Sequence, residues 1–140
     1  MSFEIARVKI QTIFKDGFET PHIGTVSCFY EGTPLNPPDD QPYTLLMVLD
    51  GDGSSIEVGS NSPFRRSGIV QVNVYGTPAK TTKEVNELAQ SIADLYQNKD
   101  FQTTENGRIF FRVGRLKNAG VRNGRQIGIL TIPYFRDSTR

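Results

Sequence analysis

Residues 69–75, IVQVNVY, alternate between aliphatic and other side chains. A β-strand points successive side chains to opposite faces, so Val70, Val72 and Val74 share one face and Ile69, Gln71, Asn73 and Tyr75 the other. Gly76-Thr77-Pro78 ends the run, and Thr81-x-x-Glu84 has the spacing of a capping box. Val85, Leu88, Ala89, Ile92 and Tyr96 then recur every three or four residues, which predicts an amphipathic helix over 82–97. The valine face of the strand is the natural place for that helix to pack. The opposite face raises a question. Gln71 and Asn73 are polar but uncharged, and the pair Arg65-Arg66 stands at the entrance of their strand.

The remaining elements extend this unit. Residues 2–15 fit two patterns: Val8, Ile10 and Thr12 alternate with Lys9 and Gln11 as in a strand, but Ala6, Ile10, Ile13 and Phe14 stand at helical spacing, and Ser2 as a cap with Glu4 and Lys15 suited to the helix dipole favours the helix. TVSCFY at 25–30 predicts a strand, and Pro34, Pro37 and Pro38 make 32–42 a loop. YTLLMVLD at 43–50 reads as a central strand covered on both faces. DGDGS at 50–54 reads as a turn, followed by a short partner strand at 55–59. After Asn106-Gly107, residues 108–116 predict a strand and 117–125 a basic loop closing on the hairpin signal Asn123-Gly124. Residues 126–135 form the last strand, with Pro133 suggesting an edge. The expected fold is α+β: one domain over 1–140, mostly antiparallel, with about two helices packed on one sheet face.

A chain of 140 residues buries roughly two-thirds of its unfolded surface. With 36% hydrophobic and 22% charged residues it reads as soluble and globular. The N-terminus has no secretory pattern, and the longest aliphatic run, Leu45–Leu49, is far below the ~20 residues of a membrane helix. The single cysteine, Cys28, excludes an internal disulfide and reads as a small apolar strand residue in a reducing compartment. Charge is unevenly spread: residues 1–107 carry a net −6 and residues 108–140 a net +7. Such asymmetry marks nucleic-acid or acidic-partner contact, or a basic surface matched by the acidic part of the chain.

Catalytic chemistry finds no foothold in the sequence. His22 stands alone in a loop, no Cys/His cluster could build a zinc site, and no phosphate-binding loop or nucleophile elbow occurs. Asp50 and Asp52 begin like a calcium loop, but Ser55 and Asn61 stand where that loop needs Gly and Glu. Asp39-Asp40 reads as a solvated loop pair. The basic residues Arg108, Arg112, Arg115, Lys117, Arg122 and Arg125, with Phe110 interleaved, faintly suggest a nucleic-acid surface.

Several stretches together resemble a known family: MSFE opening a short helix, FYEGTPLNPPDDQPY, FRRSGIVQVNVYGTP before EVNELAQSIADLYQ, and the closing ILTIPYFRD. The chain resembles the tail terminator, or tail completion, proteins of long-tailed bacteriophages, the group that includes lambda minor tail protein U. The resemblance implies a structural virion protein without enzymatic activity, cofactor or metal. Six copies would form a ring at the head-proximal end of the tail, assembled in the host cytoplasm. The ring would cap the tail tube, offer a surface to the head–tail connector and pass DNA through its lumen without sequence specificity, with no membrane partner. On this reading Arg65, Arg66, Gln71, Asn73 and Tyr75 belong to a subunit or tube interface. Arg108, Arg112, Arg115, Lys117, Arg122 and Arg125 face the lumen and its DNA. A tail tube subunit, another head-completion component and a small nucleic-acid-binding module remain alternatives.

Overall fold

The computed structural model describes residues 3–55, 64–103 and 107–138, the side chains of 51–55, 64, 65 and 138 excepted. Helix α1 (Phe3–Phe14) buries Ala6, Ile10 and Phe14, one residue in every four. At 3.6 residues per turn, that spacing drifts around an α-helix by about 40° per step. The π-helical turn that follows, Lys15–Glu19, is wound more widely and turns the drift back, which keeps Phe18 in the same core. Helix α2 (Thr82–Tyr96) buries Val85, Ala89, Ile92, Ala93 and Tyr96. The Tyr96 hydroxyl donates to the Ile10 carbonyl at 2.8 Å and ties the two helices together.

The capping box is not formed. Thr81 precedes α2 in extended backbone but makes no side-chain cap bond. Glu84 instead accepts from the Thr77 N–H at 2.6 Å and the Thr77 hydroxyl at 2.9 Å. The carboxylate thus satisfies a donor in the preceding turn and braces the strand-to-helix connection.

The described residues form seven strands of one sheet: β1 (Ser27–Tyr30), β2 (Tyr43–Ser55), β3 (Phe64–Tyr75), β4 (Asp100–Gln102), β5 (Arg108–Phe111), β6 (Arg115–Arg122) and β7 (Arg125–Ser138). Their order is β1-β2-β3-β7-β5-β4, with β6 also paired to β7. Among the described residues only the β1–β2 pair is parallel. Both helices join one core with Leu46, Val48, Val70, Val72, Val74, Leu130, Ile132 and Tyr134. Gly128 lies under α2, where an added Cβ would come within 2.5 Å of Val85. The fold is therefore the expected α+β arrangement, with two helices on one face of a mostly antiparallel sheet.

Several local expectations change. Strand β2 is interior but covered on one face only: Leu46 and Val48 are buried, whereas Leu49 is 45% exposed. DGDGS is not a turn. A bulge between Asp50 and Gly53 absorbs it, and β2 runs on to Ser55. The partner strand expected at 55–59 falls almost wholly outside the described residues. The strand expected over 108–116 breaks at 112–114, and most of the basic segment 117–125 is strand, not loop. The cause is the turn. Asn123 (φ 53°) and Gly124 (φ 76°) both adopt positive φ, the geometry of a two-residue hairpin, and this pairs Arg122 with Arg125.

Pro133 is not at a sheet edge. β7 pairs with β3 on one side, and on the other with β6 as far as Thr131 and with β5 from Tyr134. Pro133 sits at that changeover, its carbonyl accepting from Arg112 N–H at 2.9 Å. A strand residue's N and O point to the same side. The missing N–H therefore faces the irregular link 112–114 and costs the ladder nothing.

Candidate assembly surface

The sheet face away from the helices has no element of the described chain packed over it. Register places Tyr43, Leu45 and Met47 of β2 beside Tyr75, Asn73 and Gln71 of β3, and these beside Ile127, Ile129 and Thr131 of β7. Lys117 and Arg115 of β6 lie next, opposite Ile129 and Thr131. Along β3 the polar groups form a lane. Gln71 Nε2 donates to Asn73 Oδ1 at 3.2 Å, and Asn73 Nδ2 to the Tyr75 hydroxyl at 3.5 Å. These residues are half-buried because large neighbours on the same face shield them. Tyr43 and Tyr75 stack at 4.3 Å and 10°, and Phe110 and Phe135 at 4.8 Å and 18°. Burial, followed by the neighbouring Tyr75, raises the Tyr43 phenol above its ordinary pKa.

Two residue groups that the sequence separated meet on this face: Gln71, Asn73 and Tyr75 with Arg115, Lys117 and Arg122. Arg112 also reaches it, its guanidinium 5.4 Å from the Phe135 ring centroid. Arg108 is held in an ion pair with Asp100 at 2.6 Å. Arg66 does not join them. It has the strand parity of Val70 and Val72, which puts it on the helix side, exposed and opposite Arg136. Arg65 lies in β3 opposite Asp137, and its side chain is outside the described set.

Arg125 corrects the sequence expectation most clearly. It is 8% exposed and does not line an open surface. Its guanidinium donates to the carbonyls of Gln41 at 2.9 Å and Gly76 at 3.1 Å, and to that of Pro38. It also lies 5.0 Å over the Tyr43 ring. A cation held by three carbonyls and an aromatic face staples the proline loop to the end of the sheet. Counting charges along the sequence gave no sign of this role. The one available signal was the position of Arg125 directly after Asn123-Gly124, where it must open a paired strand.

At the other end of β7, Arg136 is buried and forms a two-point contact with Asp50: Nη2 to Oδ2 at 2.9 Å and Nε to Oδ1 at 3.3 Å. The Tyr134 hydroxyl donates to the same carboxylate at 2.9 Å, and burial together with that bond raises the Tyr134 phenol. Asp50, the first residue of the calcium-like motif, is thus committed to an internal ion pair.

His22 stacks on Phe18 at 4.3 Å with Nδ1 2.7 Å from the Phe18 carbonyl, which makes it a packing residue. Cys28 is half-buried in β1, and burial pushes its thiol up to about 11. It is therefore a protonated, poor nucleophile near neutral pH. Among the described residues no group of three or more His, Cys, Asp or Glu could hold a metal ion. No described helix is long and apolar enough to cross a membrane.

A two-layer α+β fold whose second sheet face has no described helix or strand over it is the class these features define. No protein-family model matches the sequence, and no curated protein matches it significantly. Solved structures share the fold. One, of a protein known by a sequence identifier alone, superposes with a TM-score of 0.70 at 15% identity, covering 100% of this chain and 96% of that one. Another belongs to the virion of a native gene transfer agent particle, with a TM-score of 0.59 at 14% identity, covering 99% of this chain and 100% of that one. At these identities the likeness is one of fold.

Proposed function

We propose that this chain is a structural subunit of a phage-type particle: a tail terminator that caps the tail tube as a homo-oligomeric ring and presents a joining surface to the head connector. The observation that carries the reading is the uncovered sheet face. Its aromatic, aliphatic and amide side chains form a broad surface without a catalytic constellation, suited to work by contact. Fold likeness to a component of a gene transfer agent virion supports the same class of particle. A ring built from heterologous contacts has two chemically different ends. One end can bind a tube while the other fails to repeat the tube's own surface, and growth stops. A tube subunit would need matching ends and would continue.

The test is removal of the protein from an otherwise intact particle. Overlong tubes that fail to join heads, restored to normal length by adding the protein back, are the expected result. Head-joined tails of normal length in its absence would sink the terminator role.

A further inference from the structure

We propose that the proline loop of one copy docks along the β6 edge of the next, and that this contact closes the ring. The inference rests on the ring reading above and names the two patches that meet.

β6 is the first half of the contact. All eight of its residues are exposed, and among the described residues it pairs with β7 alone. Its other edge therefore offers backbone donors and acceptors to any extended chain. Arg115, Lys117 and Arg122 make no hydrogen bond or ion pair among the described residues, and the strand contains no acid. Register puts the three cations on the open face, opposite Thr131, Ile129 and Arg125, while Leu116 and Val121 (62% exposed) project from the other, helix-side face of the same strand.

The proline loop supplies the complement. Residues 34–38 have no regular structure, and Leu35, Asp39 and Asp40 are exposed. Neither carboxylate has a partner among the described residues. The loop is nonetheless fixed in place, because Arg125 holds the Pro38 and Gln41 carbonyls on either side of the two acids. Three prolines further reduce the freedom the loop could lose on binding. A surface loop stapled by a buried arginine is preorganised, and preorganisation raises affinity by lowering the ordering cost of association. Two carboxylates are exposed on this loop and three cations on the open face of β6, so the complementarity between the two is one of charge. The two patches differ, so a junction that uses the loop of one copy and the β6 edge of the next is heterologous, and it can repeat from copy to copy until a ring closes. The β6 cations are thereby assigned to the subunit contact and not to DNA in the lumen.

A charge swap tests this. The first variant carries Asp39→Lys and Asp40→Lys; the second carries Arg115→Glu, Lys117→Glu and Arg122→Glu. All of these residues are exposed, and thermal melting confirms that each variant folds. Sedimentation velocity across protein concentration, at ~0.05 M and ~0.5 M salt, reads the assembly midpoint. Each variant alone should need at least tenfold more protein to assemble than wild type. An equimolar mixture should recover assembly, because every junction in an alternating ring again pairs opposite charges. A chain carrying all five changes should also assemble. Wild-type assembly in both single variants would overturn the contact, as would failure of the mixture to recover. Loss of short-duplex DNA binding in the second variant with its assembly unchanged would assign the β6 cations to nucleic acid instead. A wild type that stays monomeric throughout would also overturn the contact, and the tail-length experiment would still judge the terminator reading.

Discussion

β3 displays both faces of this protein in alternate residues. Val70, Val72 and Val74 have no exposed surface beneath the helices, whereas Gln71, Asn73 and Tyr75 are half-buried with no described helix or strand above them, Pro37 and Arg125 reaching only the Tyr75 end. Backbone, partners and register are common to both sets, so strand propensity does not distinguish them. The difference lies in what covers each face. The valine face is completed within the chain by α1 and α2, and in the proposed ring the amide face is completed by another molecule. Substitutions on the first should appear as lost folding stability, and those on the second as lost assembly.

The largest effect is expected where the helix side of the sheet holds charge. Among the described residues, Arg136→Met leaves the Asp50 carboxylate with Tyr134 alone for a partner in a mostly buried position. Removing one member of a buried pair costs about 3–5 kcal/mol. Urea unfolding should show that loss, and a second change, Asp50→Leu, should return part of it. A loss under about 1 kcal/mol would show that water reaches Asp50 freely.

The comparison sharpens within β7. Ile132 is fully buried against the helices, whereas Ile129 lies on the open face beside Asn73. Ile132→Ala should cost about 2–5 kcal/mol through lost burial and the cavity left behind. Ile129→Ala should cost about 1 kcal/mol or less, because its surface is only partly withdrawn from water in the single chain. Equal losses measured by urea unfolding would mean that the two faces are not distinct.

The legible parts of the sequence were those where one period dominated. IVQVNVY announced the β3 faces, and Val85 to Tyr96 announced α2, because each pattern fits only one element. Asn123-Gly124 announced the hairpin. The open face itself was harder to read. In β7 the residues Ile127, Ile129, Leu130 and Ile132 are apolar on both faces, so alternation does not say which face the helices cover. Strand β6 was hidden by composition: RLKNAGVR looks like a loop until the Asn-Gly turn forces it to pair. The partners of the two staples were not visible. Arg125 meets Pro38, and Arg136 meets Asp50, across more than 80 residues of sequence, and no local pattern encodes such contacts.

A smaller loss should follow from removing the loop staple. Arg125→Met keeps a stem of similar shape but deletes three charge-assisted donations to carbonyls. Hydrogen bonds to charged groups are worth about 1.5–3 kcal/mol, and solvent can replace part of this at the loop. A loss of about 2 kcal/mol is expected, with faster amide exchange in residues 39–41 while the α2 amides stay protected. If the loop amides keep wild-type exchange rates, the staple is not what orders the loop, and the preorganisation argument for docking loses its basis.

The smallest effect on folding, and the most informative, belongs to Asn73. Its contacts to Gln71 and Tyr75 are 3.2 and 3.5 Å long, on a face open to water in the single chain. Both Asn73→Ala and Asn73→Asp should therefore change stability by no more than about 0.5 kcal/mol. Their effects on assembly should differ. An amide can be covered by a partner at modest cost if it keeps a hydrogen bond, whereas an ionised carboxylate brought into a dry contact without a cation costs far more. A face meant to be covered by a partner thus favours Gln and Asn over Glu and Lys, which accounts for the uncharged lane in β3. Sedimentation of the ring should show Asn73→Ala assembling with a modest shift and Asn73→Asp shifted well beyond it at the same salt. If Asn73→Asp assembles like wild type, the lane stays hydrated in the particle, and the apolar residues around it need another explanation.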